Sequence, residues 1–253
     1  LALGLATACG ADAPTASDVT TADGSAELRG TVTVSAAASL TEVFAGVAAD
    51  FEAAHPGVDV TVNVGSSGTL ATQIEEGAPV DVAAFADEAT MTRLLDAGLV
   101  VGPVEVFATN ELVIVTEPGN PRGITSLADL AGAGTVALCA SSAPCGAFAD
   151  QALEQAGVEV PASSITRGRD VKATLGAVAE GDADAGIVYV TDAAVAGDAV
   201  AAVPVPAERN VVARYPVAVV DGAADPALAL AFVEHVLGPE ARALLEGAGF
   251  GPP

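Results

Sequence analysis

Residues 31–51 read Thr31-Val32-Thr33-Val34-Ser35-Ala36-Ala37-Ala38-Ser39-Leu40-Thr41-Glu42-Val43-Phe44-Ala45-Gly46-Val47-Ala48-Ala49-Asp50-Phe51. The opening run is rich in β-branched residues, which are crowded in a helix and fit a strand. Small residues follow. Leu40, Val43, Phe44, Val47 and Phe51 then fall at helical spacing on one face of a segment spanning 40 to 54. The unit is strand, short small-residue turn, helix, and it recurs. Strand 58 to 64 precedes helix 69 to 76, and strand 80 to 84 precedes helix 88 to 97. A second series begins near 111, with strands at 112–115, 135–138, 162–166 and 185–190 and helices at 126–131, 146–156 and 171–180. An extended run at 210–220 leads into helices 226–237 and 239–247. Such alternation specifies α/β layers on a largely parallel sheet.

Two extended stretches, 104–116 and 210–220, bracket the second series. If both cross between lobes, the chain forms two α/β lobes, each a mainly parallel sheet flanked by helices, joined by a two-strand hinge. Lobe 1 is then 31–110 plus 217–253, and lobe 2 is 111–216. One larger doubly wound domain has the same composition. No repeat at solenoid periods is visible.

The 253 residues carry 33 acidic and 9 basic side chains, a formal charge of −24, and Lys172 is the single lysine. A nucleic-acid binder or a polybasic membrane-surface binder needs clustered cations, so both are excluded as classes. Disorder is excluded too, because 51% of the residues are hydrophobic and disordered chains pair high charge with low hydrophobicity. With no Trp and few aromatics, recognition by ring stacking has little to work with. An acidic excess of this kind favours a soluble monomer.

Residues 1–9, apolar and ending in small residues before Cys9, read as the remnant of a lipoprotein signal peptide with Cys9 as the acylated residue. Residues 10–30, rich in Ala, Thr, Asp, Ser and Gly without periodicity, read as a flexible tether. Cys139 and Cys145 remain, six apart, in a compartment where disulfides persist, and are expected to pair. Zinc is the weaker alternative, since no His is near either cysteine in sequence.

Four turns share one local design, in which a strand runs into a helix start. They are Ala36-Ala37-Ala38-Ser39-Leu40, Gly65-Ser66-Ser67-Gly68-Thr69-Leu70, Ala143-Pro144-Cys145-Gly146 and Arg169-Asp170-Val171-Lys172. The first turn of a helix has free N–H groups and a partial positive charge, so each can contact an anion without a charged side chain. Tyr189 adds a phenolic donor at another strand end. Taken singly, these are ordinary capping sequences. Gly65 to Leu70 is not a phosphate loop, because no Gly-Lys-Ser/Thr follows.

Taken together, the order Ala-Ala-Ala-Ser-Leu-Thr, Gly-Ser-Ser-Gly-Thr-Leu-Ala-Thr-Gln-Ile-Glu-Glu-Gly-Ala-Pro-Val-Asp-Val, Gly-Ile-Val-Tyr-Val-Thr-Asp, Tyr215-Pro216-Val217-Ala218-Val219-Val220 and Gly249-Phe250-Gly251 resembles the molybdate-binding proteins of molybdate ABC importers. The resemblance implies the type II periplasmic-binding-protein fold and a molybdate or tungstate oxyanion in the interlobe cleft, held without a cationic side chain. It places the ligand contacts on Ser39 and Ser67, through hydroxyl and backbone N–H, on the N–H groups of Cys145 and Val171, and on the Tyr189 hydroxyl. Ser66 is the alternative hydroxyl donor. Cys145 departs from the alanine of enteric-type members. The implied partners are the permease and ATPase of the importer, with a lipid anchor to the outer face of the cell membrane and no cofactor.

Catalysis finds little support. Gly-x-Ser-x-Gly is absent, and the two histidines, His55 and His235, sit in a turn and on a late helix. The closer rival is a binding protein for sulfate, thiosulfate, phosphate or a small carboxylate. A carboxylate would call for a bidentate Arg, for which Arg167 and Arg169 are candidates.

Overall fold

A computed structural model describes Leu1 and residues 27–253. The signal-peptide remnant with Cys9, and the tether up to residue 26, lie outside the described residues.

The chain forms two five-stranded sheets. The first half builds β1 (Arg29–Ala37), α1 (Thr41–Ala54), β2 (Gly57–Gly65), α2 (Ser67–Glu75), β3 (Val82–Ala84), α3 (Glu88–Asp96) and β4 (Val100–Asn110). The second series is β5 (Leu112–Thr116), β6 (Val136–Cys139), α4 (Pro144–Ala156), β7 (Ile165–Gly168), α5 (Val171–Ala179), β8 (Ala185–Tyr189), α6 (Val190–Ala196) and β9 (Ala201–Pro204). The chain then returns through β10 (Ala213–Val220) to α7 (Pro226–Val236) and α8 (Pro239–Gly247).

Sheet one has the order β2-β1-β3-β10-β4 and sheet two the order β7-β6-β8-β5-β9. β1 pairs in parallel with β2 and β3, and β6 with β7 and β8, as expected of strands linked by crossover helices. The strands at the lobe crossing, β4 with β10 and β5 with β8 and β9, pair antiparallel. Each sheet is therefore mixed: in sheet one the returning strand β10 runs against its neighbours, and in sheet two the entering strand β5 does. Residues 213–216, expected in the second lobe, belong to sheet one: Ala213 pairs with Asn110 and Tyr215 with Ala108. The stretch 104–116, expected as one extended element, is two strands in different sheets that break at Glu111.

The cores follow from strand alternation. In sheet one, Val32, Val34, Val82 and Ala84 face α1 and α7, where Phe51 and Phe232 meet edge to face with ring centroids 5.2 Å apart. Ala83 and Phe85 face the other way, onto Leu70, Ile74, Met91 and Leu94 of α2 and α3. In sheet two, every residue of β5, β6 and β8 is buried, as expected of central strands covered on both faces. At the crossing, the Asn210 side chain stands in for a strand: its Oδ1 accepts from Leu112 N and its Nδ2 donates to Leu112 O, both at 2.9 Å.

Candidate functional site

The turns singled out in the sequence converge. One small cavity between the lobes is lined by Ala37, Ala38 and Ser39 after β1, Gly65, Ser66 and Ser67 after β2, Ala143, Pro144 and Cys145 after β6, Asp170 and Val171 after β7, and Tyr189 at the end of β8, with Ala86 below. It leaves about 10 Å3 for the centre of a water-sized sphere. So small a space suits a compact ion rather than an extended organic ligand.

Each donor is positioned by local sequence chemistry. Ser67, Cys145 and Val171 lie in the first turns of α2, α4 and α5, and Ser39 lies in the single 3-10 turn, 38–40, that starts α1. Backbone N–H groups there have no partner within their own helix. Pro144 occupies the first position of α4, where its missing N–H costs nothing and its fixed φ favours the helix. Asp170 caps α5 by accepting from Ala173 N at 2.9 Å, which turns its carboxylate back into the helix. Cys139 and Cys145 are bridged by a disulfide, Cα to Cα 5.8 Å, fastening the end of β6 to the start of α4. Gly146 lets that loop close, since a side chain there would overlap the backbone carbonyls of Cys139 and Ala140.

The hydroxyl groups show directed protons. Ser67 Oγ accepts from Ala86 N at 3.0 Å, so its own proton is free for the cavity. Tyr189 Oη is buried and has no hydrogen-bond partner among the described residues. Ser39 Oγ lies 2.9 Å from Tyr215 Oη. Burial pushes both phenols well above the usual tyrosine value, so they remain protonated donors. Ser66 lines the cavity as well, and its side chain makes no cap bond.

Among the described residues, no basic side chain lines the cavity. Arg167 pairs with Asp150 at 2.9 Å and donates to Cys139 O, and Arg169 pairs with Asp170 at 3.2 Å. Lys172 spans the cleft beside the site. Its Nζ lies 2.7 Å from Glu42 Oε2 on the first lobe and 3.1 Å from Asp192 Oδ1 on the second. Burial pushes the Asp192 carboxyl up to about 6 against the pull of Lys172. Burial opposes the charge on Lys172, yet Asp192 and Glu42 together hold its value above the ordinary one.

All five contact residues named from the sequence lie on this cavity. Sequence reasoning missed the residues behind them. Tyr215 and Asp192 lie in quoted motifs, but Tyr215 is 176 positions from Ser39, Ala86 follows no motif, and the pairing of Glu42 and Asp192 with Lys172 follows from no local pattern. It also missed α6, which makes Tyr189 the N-cap of another helix. At the cleft, Gly68 of α2 lies so close to the second lobe that a side chain there would overlap the Ser142 carbonyl oxygen.

Several known proteins are similar to this chain over most of its length. The Molybdate-binding protein ModA of Mycobacterium tuberculosis (strain H37Rv) is 38% identical over 97% of this chain and 92% of its own length. The protein of the same name from Haemophilus influenzae is 32% identical over 87% of this chain and 89% of its own. Among solved structures, the periplasmic molybdate-binding protein of Azotobacter vinelandii superposes with a TM-score of 0.80 at 25% identity, covering 88% of this chain and 99% of that one. A chain from Clostridium difficile named for a molybdenum ABC transporter superposes with a TM-score of 0.67 at 28% identity, covering 88% and 99%. Residues 32–251 match the family model described as bacterial extracellular solute-binding protein. This chain therefore belongs to the bacterial extracellular solute-binding protein family.

Proposed function

We propose that this protein captures molybdate or tungstate outside the cytoplasm and hands it to the permease and ATPase of an ABC importer. It is a binding protein and not an enzyme. The observation that carries the ligand assignment is the meeting of first-turn N–H groups from both lobes with an unpartnered buried phenol, Tyr189, around a cavity for one small ion lined by no cation. Hydrogen bonds from neutral donors to a dianion are worth roughly 1.5 to 3 kcal/mol each, so a handful suffices for sub-micromolar binding after association costs. Lacking a lysine or arginine, the site can still release its ligand when the lobes part. Ser39, Ser67 and Tyr189 supply hydroxyls, and Ser39, Ser67, Cys145 and Val171 supply backbone N–H groups. Cys9 would carry the lipid that holds the protein at the outer face of the membrane, and the protein would act as a monomer.

Calorimetry with molybdate, tungstate, sulfate and phosphate tests the assignment. Molybdate and tungstate are expected to bind, and Ser39→Ala and Tyr189→Phe to weaken them about tenfold or more while leaving the ligand-free melting temperature within a few degrees. Unchanged affinity in both variants would reject this site. Binding of sulfate without molybdate would reassign its ligand.

A further inference from the structure

We propose that Tyr215 determines specificity without touching the ligand, by committing the Ser39 hydroxyl to donation so that the site rejects oxyanions that carry a proton. The inference rests on the oxyanion reading above and deepens it. Its basis is a chain of hydrogen bonds running from the hinge to the cavity. Glu111 N donates to Asn110 Oδ1 at 2.9 Å, which fixes the amide orientation. Asn110 Nδ2 therefore points away from Glu111, donating to Thr191 Oγ1 at 2.8 Å and, more weakly, to Tyr215 Oη at 3.4 Å. Tyr215 is fully buried, so its own proton needs an acceptor, and Ser39 Oγ at 2.9 Å is the one available among the described residues. With Asn110 on its acceptor side, Tyr215 is assigned in this proposal as the donor and Ser39 as the acceptor, which turns the Ser39 proton to the cavity. Each bond in such a chain polarises the next, which strengthens the last donor.

Ser67 has the same arrangement with a backbone donor, since Ala86 N fills its acceptor side. Tyr189 differs by isolation: its hydroxyl has no partner among the described residues. Ser39 and Ser67 each turn a proton to the cavity with a lone pair already engaged, and Tyr189 offers its proton with no competing partner among the described residues. A fully deprotonated oxyanion such as molybdate would meet donors at Ser39, Ser67 and Tyr189. Hydrogen phosphate and hydrogen arsenate carry at least one proton at neutral pH, and burying that proton without an acceptor is penalised. Remove the Tyr215 hydroxyl and the Ser39 lone pair is freed, while the Ser39 proton can turn to a backbone carbonyl of the preceding residues, as serines in helical turns do.

The experiment compares wild type and Tyr215→Phe for molybdate, phosphate and arsenate by calorimetry at pH 6 and pH 8. The phenylalanine keeps the edge contacts of the ring with Phe107, Tyr189 and Phe250. Expected is a loss of molybdate affinity of about three- to tenfold together with a gain for phosphate, so that the ratio of the two narrows by about tenfold or more, most at pH 6 where phosphate is more protonated. In a Ser39→Ala background, Tyr215→Phe is expected to leave the ratio unchanged. A ratio in Tyr215→Phe equal to that of wild type, or molybdate and phosphate weakened by the same factor, would overturn the proposal. Should Tyr215→Phe fail to fold, Asn110→Asp reads the same effect, because its second acceptor oxygen competes with Ser39 for the phenol proton. The ratio narrowing there would support the proposal, and an unchanged ratio would overturn it. Failure of wild type to bind molybdate would instead overturn the oxyanion reading on which the inference stands.

Discussion

Replacing Lys172 by methionine keeps the aliphatic stem and removes the charge from two partners that differ in burial. The Asp192 side chain is fully buried, whereas that of Glu42 is 47% exposed. Losing the Glu42 pair costs at most about 1 kcal/mol, because exposed pairs are screened and entropically expensive to hold. Losing the Asp192 pair leaves a buried carboxylate without its counterion. Burial already raises that carboxyl from 3.8 to about 6 in the folded protein. Protonated Asp192 therefore favours the fold: its contribution is full below pH 3.8 and is lost as pH climbs through 6. Without the ammonium the folded-state value should climb further, by roughly two units. The variant then trails wild type near pH 5, where both hold Asp192 largely protonated, by no more than the about 1 kcal/mol of the Glu42 pair, and falls behind by about 2 to 3 kcal/mol more at pH 8. For a chain of this size that is a drop in melting temperature of roughly 5 to 10 °C at pH 8. Scanning calorimetry of the ligand-free protein at the two pH values reads this directly, since Lys172 and Asp192 belong to the same lobe and their pairing does not need the cleft closed. An equal drop at pH 5 and pH 8 would refute the assignment of the effect to Asp192.

Gly68→Ala is expected to hold the lobes apart by roughly 1 Å at Ser142, weakening molybdate by about tenfold or more with little change in ligand-free stability, as calorimetry and thermal melting would show. Reducing the Cys139–Cys145 disulfide, or replacing both cysteines by alanine, should cost about 2 kcal/mol on the chain-entropy model for so short a loop, measured by urea titration. The formal charge of −24 repels an approaching dianion, and the neighbouring cations Arg167, Arg169 and Lys172 are each paired with a carboxylate. The association rate for molybdate should therefore rise with added salt in stopped-flow measurements, as screening sets in within about 8 Å at physiological ionic strength.

The strand-turn-helix units were legible because their signals are local. Thr31 to Phe51 carries its own period, its small-residue turn and its helix start. The helix N-termini at Ser39, Ser67, Cys145 and Val171 were readable for the same reason, and the family resemblance selected these turns out of many capping sequences. What was not legible depends on contacts between distant residues. That Tyr215 should orient Ser39, or that Lys172 should bridge Glu42 and Asp192, follows from sheet order and lobe approach, and nothing near those residues announces it. The lobe boundary was misplaced by four residues because Ala213 to Pro216 reads as extended in either lobe. Which sheet it joins is decided by its pairing with β4.

The sheet order also governs when the molecule can be assembled. The second lobe is one unbroken length of chain, residues 112 to 204, and every partner strand it needs lies within that length. The first lobe is different: β10 lies between β3 and β4, and β4 pairs with no other strand of its sheet. A nascent or translocating chain that has not yet delivered residues 213 to 220 can fold its later half but not its earlier one. The amino-terminal portion must wait, exposed, for the carboxyl-terminal strand, and truncation between Asn210 and Ala213 should leave a folded second lobe attached to an incomplete first.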